Sequence, residues 1–143
     1  EQYMKLYQTV LLAINPDESR AHKLMTKAAI LANQNEAELD VIFVELGIGN
    51  NNYMDVELGL DCCDNALDFK RIEQLSALSK NSPHPVRSIH IADGDIVNHI
   101  GDIAKNIHAD IVMIGYHKSK IHWGRTLGGE VADKTGCDVI IVQ

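Results

Sequence analysis

Cysteine is scarce and poorly placed for bridging. Of the three, Cys62 and Cys63 are adjacent and Cys137 stands far from both. An odd count cannot pair completely, and adjacent cysteines strain the peptide between them if they close on each other. A disulfide framework is therefore excluded as the source of stability, and a reducing compartment is expected. Nothing in "LDCCDN" is basic, so the vicinal thiols lack the cationic neighbours that favour thiolates. Positive charge is also short: 13 Lys and Arg against 20 Asp and Glu leave a net charge of −7. Such a chain repels a nucleic-acid backbone unless it carries a strong local basic patch. No apolar run approaches the roughly 20 residues a membrane span needs, and no basic stretch leads into an apolar signal segment. Cytoplasmic residence without membrane contact is the expectation. Internal repeats, low-complexity tracts and interdomain linkers are absent as well.

What remains is ordinary globular material. The 143 residues are 45% hydrophobic and 23% charged, enough for one normal core and one domain over residues 1–143. "YQTVLLAIN" (7–15) is a short apolar run stopped by Asn15 and Pro16, the pattern of a buried strand. Ala21, Leu24, Ala28 and Leu31 then recur at helical spacing within "PDESRAHKLMTKAAILANQN", which places Pro and acidic residues at a helix start. "AELDVIFVEL" (37–46) lacks polar alternation, as in a strand covered on both faces. Residues 47–62, with Gly47, Gly49 and three consecutive Asn, are expected to form a long loop. A helix over about 64–80 uses Leu67, Ile72, Leu75 and Leu78 and stops at the two prolines of "NSPHP". "VRSIHIA" (86–92) alternates, suggesting a strand with one wetter face or an edge. Ile96, Ile100, Ile103 and Ile107 form the stripe of a third helix with Asp95 as cap or first-turn acid, and "ADIVMIG" (109–115) is another buried strand. A fourth helix from about Gly129 to Thr135 and a last strand in "CDVIIVQ" close the chain.

Strand and helix thus alternate through five strands. That order specifies an α/β fold, an open parallel sheet with helices on both faces and right-handed crossovers. Ligands in such sheets bind beyond the carboxyl ends of the strands where the winding reverses, which singles out Asn15, Glu45 and the segment from Gly115 onward.

"VLLAIN", "LDVIFVE", "ADGD", "ADIVMIGYH", the glycine-bearing loop and "CDVIIVQ", in that order, resemble the universal stress protein family over nearly the whole chain. The resemblance implies strand order 3-2-1-4-5 and pairing of the last strand with that of a second copy. Nucleotide-binding members look like G-x2-G-x9-G-S/T after the fourth strand, with an Asp closing the first. Glycines let backbone approach phosphate, and the hydroxyl opens a helix whose N–H groups face the anion. Gly115 and Gly128 match the first and third glycines, whereas Lys118 replaces the second, Gly129 the Ser/Thr and Asn15 the Asp. These departures weigh against a tight ATP site, and "GYH" with "ADGD" is similar to the subgroup that lacks the full phosphate signature. By the family match, an adenine nucleotide such as ATP would bind weakly or not at all in a crevice of Ala13, Asn15, Val44, Gly115, Lys118, Arg125, Gly128 and Gly129.

Other readings stay open. Lys118, Lys120 and Arg125, with His117 and His122 partly protonated, could replace the lost backbone contacts and make an ATP-binding switch or slow ATPase; as solvated loop charges they would do neither. A third reading is a scaffold for protein partners through the 47–62 loop, with Tyr53, Met54 and Leu58 as exposed apolar candidates. No pair of the seven histidines has the spacing of a strong zinc motif, so no metal site is expected. Asp93 and Asp95 fit turn and cap positions, and Ser119 near His117 lacks a neighbouring acid, so no catalytic residue is assigned. The closing strand would leave an open edge carrying Val139, Ile140, Ile141 and Val142, suited to an isologous homodimer or to a cover by its own helix.

Overall fold

The computed structural model describes residues 6–45, 53–57, 66–115 and 127–143. Lys118, Arg125, His117, Ser119, His122, Leu58, Cys62 and Cys63 lie outside that set. Six strands, β1 (Thr9–Ala13), β2 (Glu38–Glu45), β3 (Tyr53–Glu57), β4 (Ser88–Asp93), β5 (Ile111–Gly115) and β6 (Asp138–Val142), form one sheet in the order β3-β4-β2-β1-β5-β6. Its helices are α1 (Ala21–Asn35), α2 (Ala66–Lys80), α3 (Ile96–Asn106) and α4 (Leu127–Thr135). The five strands expected from the sequence are parallel and lie in the expected order 3-2-1-4-5.

Two features differ from the sequence reading. Within residues 47–62, Tyr53–Glu57 is not loop but a strand antiparallel to β4, with Tyr53 opposite Ala92 and Glu57 opposite Ser88. Consequently β4 is flanked by β2 and β3 and is not an edge, and its one charged-capable inner residue, His90, is buried. The second feature is the start of α1. Pro16 and the acidic residues after it precede the helix, in turns closed by the Glu18 N–H on the Asn15 carbonyl and the Ala21 N–H on the Glu18 carbonyl.

Two cores flank the sheet because side chains alternate faces along each strand. Val10, Leu12, Leu39, Val41 and Phe43 pack with Leu24, Met25 and Ala28 of α1 and Leu75 of α2. On the other face Leu11, Ile42, Val112 and Ile114 meet Ile100 and Ile103 of α3 and Val131 of α4. The crossovers from β1 to β2 and from β4 to β5 therefore run on opposite faces, which puts the reversal of winding between β1 and β5. Gly101 of α3 makes room for the Lys134 stem of α4: a Cβ there would stand 2.7 Å from Lys134 Cγ. Lys134 Nζ continues to Asn98 Oδ1 at 2.8 Å, pinning the two helices together.

Candidate functional site

The carboxyl ends of β1, β2 and β5 meet at that reversal. Ala13 pairs in register with Ile42 on one side and Ile114 on the other. Ala13, Asn15, Val44 and Gly115 are each half-buried at the rim. These four residues predicted from sequence are thus brought to one edge of the sheet.

The loop after β1 is held firmly. Asn15 Oδ1 accepts the Asp17 N–H at 2.9 Å, so its carboxamide oxygen is committed to an Asx turn of its own loop. Asp17 in turn accepts Gln74 Nε2 at 2.9 Å and the Arg71 guanidinium, both from α2. Arg71 also lies over the Phe43 ring, 5.2 Å from its centroid, near the end of β2. The bond from Gln74, followed by that from Arg71, holds the Asp17 carboxyl below its ordinary value. One wall of the crevice is therefore a β1–α1 loop tethered to α2.

The glycines part company. Gly128 is buried at the second position of α4, where a Cβ would stand 2.5 Å from Ile141 Cδ1 and 2.9 Å from Ile141 Cγ1. Its lack of a side chain serves close approach of α4 to β6. Gly129, one residue on, is exposed in the first turn. Sequence reasoning did not foresee a neighbouring shallow, open cleft on the α1 side, lined by Glu18, Arg20, Lys23 and Leu24 together with Gly115, Val142 and Gln143. Glu18 and Arg20 come from the turns before α1, which could not be placed from spacing alone, and Lys23 from the first turn of α1 itself.

A second polar cluster sits elsewhere. Asp40, in the first half of β2 and 1% exposed, accepts Arg87 Nε at 2.8 Å on one oxygen and lies 2.9 Å from His90 Nε2 with the other. The bond to Asp40 raises the Arg87 pKa above its already high value. This pair ties β2 to β4 well inside the sheet, away from the crevice. Among the described residues no group of three or more His, Cys, Asp or Glu is placed to hold a metal ion, and no helix is long and apolar enough to cross a membrane.

The family model described as the universal stress protein family matches residues 6–143. The chain belongs to the universal stress protein family. It is similar to a universal stress protein A homolog of Pasteurella multocida (strain Pm70), 24% identical over 140 residues covering 96% of both chains. It is also similar to universal stress protein A of Buchnera aphidicola subsp. Baizongia pistaciae (strain Bp), 23% identical over 141 residues, 93% of this chain and 92% of that one. Among solved structures, a universal stress protein in complex with cAMP superposes with a TM-score of 0.69 at 17% identity, covering 96% and 97% of the two chains. The family protein of Archaeoglobus fulgidus in complex with dAMP gives 0.63 at 18% identity over 96% and 99%. At these identities the likeness establishes the family's fold, and the ligands belong to those proteins.

Proposed function

We propose that this universal stress protein works in the cytoplasm as a homodimeric binding or regulatory module that takes an adenine nucleotide weakly or not at all. The observation that carries the reading is the open β6 edge. Among the described strands β6 has β5 on one side only, and Ile140 and Ile141 are 37% and 43% exposed. An apolar edge strand with unsatisfied backbone groups is a template for another strand, and a second copy offers the matching strand about a two-fold axis. Weak nucleotide binding is supported by Asn15, whose oxygen is spent on the Asp17 N–H, and by Gly128, which is spent on packing against Ile141.

The test combines sedimentation equilibrium with calorimetric titration of ATP and Mg²⁺ at low salt. A dimer with little or no heat is the expected result. A monomer at every concentration overturns the dimer, and dissociation in the low micromolar range overturns the weak site.

A second reading, an ATP-binding switch or slow ATPase relying on Lys118 and Arg125, is favoured by the cAMP and dAMP held by two structural neighbours. Lys118→Glu separates the two, since it abolishes an ATP-induced rise in melting temperature only if Lys118 holds phosphate. The scaffold reading through residues 47–62 now has β3 as part of its surface; removing the segment and retaining partner binding would end it.

A further inference from the structure

We infer that the β6 edge and the first turn of α4 form one coupled unit, joined by the contact between Ile141 and Gly128, so that pairing of β6 with a second copy orders the start of α4. The inference rests on the dimer reading above and adds a regulatory link to it. It does not require that nucleotide bind.

Three observations carry it. First, α4 begins poorly: it is nine residues long and opens Leu127-Gly128-Gly129. Each glycine costs a helix roughly 1 kcal/mol relative to alanine, so this turn depends on outside support. Second, the support is specific. The slot left by the missing Cβ of Gly128 is filled by Ile141, whose Cδ1 and Cγ1 would stand 2.5 and 2.9 Å from such a Cβ, with Val139 Cγ1 at 3.7 Å. Third, the residue that supports the turn is itself only partly held. Ile141 is 43% exposed on the sheet edge, although it lies on the α4 face with Val139, in register with buried Ile114.

The direction of the coupling follows from entropy. In a free edge strand Ile141 seats its Cδ1 against Gly128 while 43% of the residue stays exposed, so the seated rotamer is packed from the α4 side but not from the open edge. A strand of a second copy laid against β6 places cross-strand side chains beside Ile141 on the same face. That favours the rotamer filling the Gly128 slot and fixes the helix start. By reciprocity, anything that fixes the helix start with Ile141 seated in the Gly128 slot favours pairing by the same factor. A nucleotide phosphate at the amino end of α4 would be one such agent, and coupling of this kind is typically worth five-fold or more in affinity.

The experiment follows hydrogen exchange at Val131, Ala132 and Asp133, whose amides close the first helical turn by bonding four residues back. It is run over a dilution series with sedimentation in parallel, for the wild type, Ile141→Ala and Gly128→Ala. In the wild type, exchange at these amides should slow by roughly ten-fold as the dimer forms, a factor within the usual range of coupling. Ile141→Ala should retain pairing through backbone and Ile140 but exchange rapidly at both extremes. Gly128→Ala is the control for mere helix propensity. Alanine improves the turn in the monomer, yet its methyl drives Ile141 out of the slot, so dimer dissociation should rise by about five-fold or more with helix content kept by circular dichroism.

A dimer whose exchange at these amides matches the monomer's, or a Gly128→Ala variant that pairs as tightly as the wild type, overturns the coupling and leaves the dimer standing. A wild type that remains monomeric throughout removes the dimer and the coupling together, which sedimentation alone reveals.

Discussion

Asp40 is buried with both oxygens engaged, one by Arg87 and one by His90. Burying a carboxylate is costly unless charge partners offset its lost hydration, and removal of one partner strands the others. Asp40→Ala is therefore expected to destabilise the fold by about 3–5 kcal/mol, whereas joint replacement of Asp40 and His90 by leucine should recover much of it. Urea midpoints for the two variants check this, and an equal loss in both would refute the argument. At the crevice the sensitive residue is Asp17. Its carboxyl pKa is lowered by Gln74 and Arg71, so its tether is complete above the ordinary carboxylate value near 4 and is lost as pH falls through the lower folded value. Because the group is 49% exposed, solvent screens the effect and global stability should change little. What should change is local: exchange of the Ala21 amide, in the turn after Asp17, accelerates on acidification, and Gln74→Ala moves that acceleration to higher pH.

Among the elements, the four helices and five parallel strands were legible because burial imposed their periods. Apolar stripes marked α1 and α3, and unbroken apolar runs marked β1, β2 and β5. Asp95 shows how far such reasoning reaches, for it caps α3 by accepting the Asn98 N–H at 3.2 Å. Asp95→Ala should cost roughly 1 kcal/mol, read as a lower urea midpoint with unchanged slope. β3 escaped because its five residues lie between Gly and Asn signals that mark loops, and its pairing is with β4, about 35 residues later in the chain. The Asp40 and His90 pair escaped for a related reason: it exists only through the register of β2 on β4, which no local pattern reports. Within the candidate site, Ala13, Asn15, Val44 and Gly115 were reachable by matching the family motif. The packing duty of Gly128 was not, since a glycine that meets phosphate and one that meets an isoleucine look the same in sequence.

For the whole molecule, the sheet's two ends are unlike. At one, β3 runs antiparallel to β4 and is itself the edge strand, while at the other β6 runs parallel to β5 and leaves its outer side without a partner among the described elements. Ile140 faces the α1 side of the sheet, in register with Met113, and Ile141 faces the α4 side, so a copy paired on β6 covers apolar surface on both faces at once. Under the proposed pairing, stability depends on protein concentration, because a partner that binds only the folded chain stabilises it by mass action. The thermal midpoint of the wild type should rise with concentration. In a two-fold interface one substitution acts twice, and Ile140→Lys brings two cations to the same axis, a device that natural edge strands use to prevent pairing. Dimer dissociation should increase by at least ten-fold, about 1.4 kcal/mol, and the midpoint should become independent of concentration while far-ultraviolet circular dichroism is unchanged. If the variant's midpoint still climbs with concentration as the wild type's does, the copies meet through some surface other than β6, and the contact between Ile141 and Gly128 loses its regulatory meaning with it.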